Sequence, residues 1–278
     1  MKRKRLIQIS LALAVLSVAM YYALRPTEPV YQGKTLTVWI DQYCAFLTLG
    51  GTFFKPNPDR PKFMEAMSAL QHIGTNALPA LIERAARKDS AMKKKLIAFT
   101  DRHPGLGIHL QPAEDYHQQA VYVFTLLGRD AKLAVPALIS LLRDEDTSIR
   151  ATAAWCLFKI DPEAKETAPA LVQTLRDAKE SDERLIETVL HTIRDFSAKP
   201  DIVVPLLVDY ICGARADWGH ASTATSALAH CGKEAKAAVP ALVAQLDNTN
   251  SVIREAASDA LMVVDNDTWE REFMKRNK

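Results

Sequence analysis

Residues 136–160 read PALISLLRDEDTSIRATAAWCLFKI, and this stretch decides the fold. Pro136 opens a short apolar run, and proline is tolerated in the first turn of a helix because its missing amide hydrogen leaves no hydrogen bond unmade there. A polar turn at Asp144–Thr147 follows, and apolar residues then recur at helical spacing from Ile149 to Ile160. The stretch therefore predicts two antiparallel helices joined by a short turn.

The opening phrase of this stretch recurs along the chain. Copies begin at Pro79, Pro136, Pro169, Pro205 and Pro240, at spacings of 57, 33, 36 and 35 residues. Each proline is expected in the first turn of its own helix. Periods in the thirties are typical of stacked helix pairs, which bury their apolar faces only against neighbouring pairs. The scarcity of alternating Val-, Ile- and Thr-rich runs also favours helices over sheet.

This pattern resembles the HEAT-repeat family. The resemblance rests on Pro136-Ala-Leu with Asp144 and on the apolar positions of residues 149–160, and residues 240–264 repeat it. It implies an all-α fold, a right-handed α-solenoid of HEAT-like helix pairs, over residues 62–264. Tetratricopeptide repeats have a similar period, but their early Trp-Leu-Gly-Tyr pattern is missing.

The resemblance also implies roles for a few charged residues. In the family, an Asp between the two helices and an Arg that opens the second helix support the stacking of units. Asp146, Arg150 and Arg254 fit these roles, whereas Glu183 stands at the place of Arg150 in its unit and interrupts the series.

The N-terminal segment predicts the compartment. Residues 2–5 are all basic, and Leu6–Leu24 contains 19 residues without a charge. A helix of that length spans roughly 28 Å, about one hydrocarbon core. Since basic flanks stay in the cytoplasm, residues 6–24 are expected to form one transmembrane signal anchor, with the repeat domain outside the cytoplasm, in the periplasm of a bacterium. The alternative is a signal peptide cleaved near Ala19 and a secreted protein.

The predicted organisation has four parts. Residues 1–25 form the cytoplasmic tip and the anchor, 26–61 a capping helix and linker, 62–264 the repeat array, and 265–278 a C-terminal cap or tail. The capping helix is expected to bury one face, formed by Leu36, Trp39, Ile40, Tyr43 and Leu47. The gap between the first two prolines predicts an insertion at about 93–115, with a helix at 93–100 and a loop at 101–114.

Charge and cysteine content narrow the functional classes. Residues 1–25 contain five basic residues and no acidic one. Since the net charge of the whole chain is +2, the remaining residues have a net charge of −3. We therefore expect no nucleic-acid partner, because phosphate binding needs a basic face. Disulfides are permitted outside the cytoplasm, but the four cysteines are expected as free, buried thiols because helical position separates them: Cys44, Cys156, Cys212 and Cys231.

No catalytic residue, metal site or cofactor is predicted. Ser197, His191 and Asp195 share one helix, so they cannot converge as a nucleophilic set. The inserted loop at 101–117 is the alternative site for an enzyme or metal-binding protein, as in HEAT-like lyases that act on bilin chromophores. Its candidate residues match no compact ligand spacing; they are His103, His109, Asp115 and His117, with Asp101 and Glu114 nearby.

A partner-binding surface is predicted on the second helices. A shift of 33 residues places Tyr122 and Trp155 at the same outward position of consecutive second helices, and Lys159 follows one turn later. Thr188, Ser226 and Asp259 occupy this position in later units. Exposed aromatic residues are typical of interaction hot spots. The predicted function is a non-catalytic, membrane-tethered scaffold that binds a protein or peptide outside the cytoplasm.

Overall fold

The computed structural model describes residues 28–48, 59–160, 166–179, 181–194, 200–212 and 218–276. The predicted anchor at residues 6–24 and the alternative cleavage site lie outside these residues. Within the described ranges, no helix is both long enough and apolar enough to cross a membrane.

The described chain is helical apart from one small hairpin. Strand β1 (Val30–Tyr31) pairs antiparallel with β2 (Lys34–Thr35). Four 3₁₀ segments, at residues 74–77, 104–106, 128–134 and 232–238, link helices. The α-helices are α1 (Leu36–Thr48), α2 (Arg60–Ile73), α3 (Leu78–Ala85), α4 (Ala91–Arg102), α5 (Ala113–Leu127), α6 (Val135–Leu141), α7 (Thr147–Ile160), α8 (Thr167–Asp177), α9 (Glu183–Arg194), α10 (Pro200–Cys212), α11 (Trp218–Cys231), α12 (Val239–Gln245), α13 (Ser251–Val264) and α14 (Asn266–Arg276).

These helices form a repeat array. The pairs that pack together are α1/α2, α3/α5, α6/α7, α8/α9, α10/α11 and α12/α13. The second helices α5, α7, α9, α11 and α13 also pack directly on one another in chain order, and α14 covers α13. The predicted all-helical repeat solenoid is thus confirmed for the described chain, whereas its handedness stays a prediction.

One continuous hydrophobic core runs through the array, from Leu36 to Val264. Small residues such as Ala153 and Ala154 are fully buried in the second helices, where they let neighbouring helices approach closely. Trp39 is among the largest fully buried side chains, and its indole Nε1 donates to the Tyr31 carbonyl oxygen at 3.1 Å. The hairpin therefore supplies the hydrogen-bond acceptor that a buried tryptophan needs.

The prolines follow the prediction with one exception. Pro79, Pro136 and Pro240 lie at the first or second position of their helices, and Pro169 lies in the first turn of α8. The prediction for Pro205 was wrong, because α10 begins at Pro200 and Pro205 lies inside it. The helix starts earlier because Val203 and Val204 are already part of its buried face.

The insertion contains a longer helix than predicted. Helix α4 begins after Ser90, whose hydroxyl accepts the Lys93 amide at 3.2 Å, and it continues to Arg102. The loop is correspondingly shorter, because α5 begins at Ala113. Gly107 adopts a φ of +62° at the end of the 3₁₀ turn 104–106.

The predicted stacking contacts are partly corrected. Arg150 does bridge two units, since its guanidinium donates to the Asp182 carboxylate at 2.7 Å. It also donates to the carbonyl oxygens of Asp144 and Glu145. Asp146 has a different role from the one implied: its carboxylate accepts the Ser148 amide at 2.9 Å and caps its own helix.

Arg254 contacts its own turn, where it donates to the carbonyl oxygens of Asn248 and Thr249 at 2.7 and 2.8 Å.

All four cysteines are free. Cys44, Cys156 and Cys231 are buried, but the prediction was wrong for Cys212, which is exposed at the end of α10. Burial raises the pKa of the Cys44 thiol to about 12, which keeps it protonated at neutral pH.

Candidate partner-binding face

The exposed side of the second-helix layer carries the predicted residues. Tyr122 on α5 and Trp155 on α7 are both half-buried, and their helices pack side by side. Thr188 is also half-buried, and Ser226 and Asp259 are exposed. These five residues share one position on successive second helices and all are at least partly exposed, so we call this surface the second-helix face.

An aromatic patch lies at the centre of this face. The Trp155 and Phe158 rings lie 5.8 Å apart between centroids with a tilt of 51°. The Lys159 ammonium lies 4.9 Å from the Trp155 centroid and 4.6 Å from the Phe158 centroid. A cation over two rings is attracted by their negative faces. Phe158 was missed in the sequence, although its spacing of three from Trp155 signals a shared helical face.

Tyr122 lines a groove of about 370 Å³ between α1 and α5. Two of its lining residues are acidic, Asp41 and Asp115, and no basic residue of the described chain lines it. We call it the Tyr122 groove; its lining residues are Asp41, Cys44, Ala45, Thr48, Gln111, Asp115, Gln118, Gln119 and Tyr122.

A chain of hydrogen bonds fixes the wall of this groove. The Gln119 amide donates to the Asp41 carboxylate at 2.9 Å, and the Arg84 Nε donates to the Gln119 side-chain oxygen at 3.4 Å. Arg84 also donates to the Thr37 hydroxyl at 2.8 Å, although only 7% of the residue is exposed. Partial burial raises the pKa of Asp41, and the Arg84 charge and the Gln119 hydrogen bond offset this effect only in part.

A surface ion pair crosses the same layer. The Arg184 guanidinium on α9 donates to the Glu114 carboxylate at the start of α5, at 2.7 Å. Since α7 packs between α5 and α9, the pair spans three consecutive second helices. Both side chains are largely exposed, so the pair marks the edge of the face and contributes little to stability.

The histidines of the inserted segment do not form a site. His117 is buried, and its Nε2 lies 2.8 Å from the Arg87 carbonyl oxygen, whereas His103 and His109 are exposed. The His103 Nδ1 lies 2.8 Å from the Phe99 carbonyl oxygen. In the described parts of the chain, no three His, Cys, Asp or Glu side chains are placed to hold a metal ion. The convergence that the loop alternative requires is therefore absent there.

The fold and this face define a helical repeat protein with a half-buried aromatic patch and an acidic groove. A family model described as HEAT repeats matches residues 104–190. Among curated proteins, none matches the chain.

Two solved structures are similar over most of the chain. A designed armadillo repeat protein in complex with the peptide (KR)4 is 18% identical, with 84% of this chain and 100% of that chain covered and a TM-score of 0.45. An engineered protein is also 18% identical, with coverages of 82% and 96% and a TM-score of 0.43.

Proposed function

We propose that this protein is a non-catalytic scaffold that binds a protein or peptide along its second-helix face. The observation that carries the proposal is the adjacency of two features on packed helices. The aromatic patch lies on α7, and the Tyr122 groove lies between α1 and α5, which packs against α7. By the resemblance to HEAT repeats, this layer lines the concave side of the array.

The aromatic patch supplies the contact area. Trp and Tyr are enriched among the residues that dominate binding energy, because they bury large apolar areas with few rotatable bonds. Trp155 and Tyr122 remain half-buried while their backbones are fixed by the repeat core. A partner side chain that covers them therefore gains apolar burial without reorganising the array.

The groove supplies the selectivity. Its two carboxylates face a cleft with no basic lining residue in the described chain, so a partner with a Lys or Arg side chain complements its charge. We infer a partner segment that presents a basic residue to the groove and an apolar residue to the aromatic patch.

The proposed site of action is the outer surface of a membrane. The support is the charge-free stretch of residues 6–24 behind a basic tip, which fits a tether with the repeat domain outside the cytoplasm. Cleavage near Ala19 would instead release the same domain as a secreted scaffold.

A cross-linked pull-down of the full chain tests the proposal, with wild type beside the Tyr122→Ala/Trp155→Ala variant. We expect the variant to lose at least about tenfold in partner recovery, the effect of removing one or two hot-spot residues. Ser226→Ala is the matched control, because it lies at the corresponding position of α11 and is exposed. Equal recovery from the double variant and wild type would refute the assignment.

Two variants with small changes in side-chain volume distinguish a loss of partner binding from a loss of folding. Asp115→Asn and Lys159→Gln change charge with little change in volume, so the array should retain its helical circular dichroism. Asp115→Asn is expected to weaken recovery of a basic partner, and the loss should shrink as salt concentration rises. If recovery with Asp115→Asn depends on salt concentration in the same way as recovery with wild type, the groove does not contact a cation of the partner.

A further inference from the structure

Helix α4 exposes several large apolar side chains to solvent. Among its twelve residues, only Thr100 is buried. Met92 is 79% exposed, Phe99 is 51% exposed, and Leu96 is also exposed. The following segment adds two exposed apolar side chains, Leu106 and Ile108. Contiguous exposed apolar side chains of this kind mark a surface that is covered in use.

The exposed residues form a stripe with one basic flank. Met92, Leu96 and Phe99 are spaced by four and three residues, so they share one side of the helix. Lys95 and Arg102 follow the stripe along one flank by helical position, and both are exposed. Between residues 91 and 108 the sequence contains four basic residues and one acidic residue, Asp101.

The opposite flank of α4 is held to the array. The Lys93 ammonium donates to the Asp89 carboxylate at 2.6 Å and to the Gln111 carbonyl oxygen at 2.8 Å. The buried Thr100 lies on the same flank by helical position. These contacts hold this flank to the array and leave the apolar stripe beside it exposed.

The start of the described chain is hydrogen-bonded to the helix that precedes α4. The Glu28 carboxylate accepts the Thr37 hydroxyl at 2.7 Å, and the same hydroxyl accepts an Arg84 hydrogen bond at 2.8 Å. Arg84 lies in the last turn of α3, and α4 begins seven residues later at Ala91. Glu28 itself follows the apolar stretch 6–24 by four residues.

We propose that α4 and the segment to Ile108 form a membrane-surface site that lies on an anionic bilayer, with the apolar stripe in the headgroup region. An apolar stripe beside exposed Lys and Arg residues is typical of helices that lie in a membrane interface. A bilayer fits better than a protein groove because the apolar side chains continue from the helix into the loop. The proposal rests on the proposed tether, which holds the array at a membrane surface.

Hydrogen–deuterium exchange of the full chain in nanodiscs tests the site. One set of discs contains phosphatidylglycerol with phosphatidylcholine, and the other contains phosphatidylcholine alone. We expect amides of residues 91–108 to exchange several-fold more slowly in the anionic discs. In the Leu96→Ser/Phe99→Ser variant this difference should disappear, while peptides from α14, which also exposes Phe273 and Met274, should be the same in both discs.

The outcomes separate this proposal from the tether and from the scaffold. Equal exchange of residues 91–108 in both discs, with the chain co-eluting with the discs, would overturn the lipid site and leave the tether intact. A chain that does not co-elute would refute the tether, and the same exchange measured with added phosphatidylglycerol vesicles would then decide the site. Partner recovery should be unchanged in the double-serine variant.

Discussion

At the scale of single residues, the contact between Arg150 and Asp182 joins two repeats. Both side chains are mostly buried, and the Asp182 carboxylate also accepts the Thr147 hydroxyl and the Lys179 amide. Burial by itself raises the pKa of Asp182, but these hydrogen bonds and the Arg150 charge outweigh it and hold the pKa below its ordinary value.

Asp182→Asn is therefore expected to lower the free energy of unfolding by about 2 kcal/mol at pH 7, the worth of a hydrogen bond to a charged group. Because the folded pKa is depressed, this stabilisation is complete above the ordinary pKa of an aspartate and is lost as pH falls through the folded value. Urea unfolding at pH 7 and in acid measures both effects. Asp177→Asn is the exposed control, and equal midpoints at pH 7 would contradict the prediction.

At the scale of helices, four of the five recurring prolines lie in the first turn of a helix. Pro79, Pro136, Pro169 and Pro240 lie where no intrahelical donor is required. Pro205 lies in the sixth position of α10, where the missing amide removes a hydrogen bond and the ring crowds the preceding turn. Its side chain is exposed, so it contributes little to the core.

Pro205→Ala is expected to raise the free energy of unfolding by about 2 kcal/mol, because the restored helical hydrogen bond outweighs the added freedom of the unfolded chain. Pro240→Ala at the start of α12 serves as the comparison and should change stability far less. Thermal unfolding of both variants measures the difference. Destabilisation of α10 by the alanine would show that the proline is needed for its geometry.

At the scale of the whole molecule, the extensive helix packing of the described chain is between neighbouring units, and the exposed Arg184–Glu114 ion pair joins units two apart. The stack of second helices runs from α5 to α13, with α1 and α2 packed at one end and α14 at the other. At that end α14 is fixed by Trp269, whose indole donates to the Ser258 hydroxyl at 2.9 Å. In such arrays the free energy of unfolding is approximately the sum of the stabilities of the units and of the interfaces between them. A destabilising substitution at one end is therefore expected to affect only nearby helices.

Trp39→Ala tests this locality, since Trp39 is fully buried in α1. Truncation of a buried Trp costs about 3–5 kcal/mol. We expect faster hydrogen exchange in α1, α2 and α5, with unchanged exchange in α11–α13. A uniform increase across the array would mean that it unfolds as one cooperative unit.

The sequence by itself determined the helix pairs, their stacking and the equivalent positions of Tyr122 and Trp155 on successive second helices. These features depend on residues a few positions apart or one period apart, and helical geometry relates such positions directly. The anchor at residues 6–24 stays a prediction of the same local kind.

Only the tertiary structure decided which distant groups meet. Asp41 forms the groove with Tyr122, which is 81 residues away, and Arg150 pairs with Asp182 in the next unit. The exposure of the α4 stripe likewise depends on how the insertion packs against the array. The periodicity of the sequence predicts which face of a helix is apolar. Which residues contact that face depends on the packing of helices that are distant in sequence, and a local pattern does not contain that information.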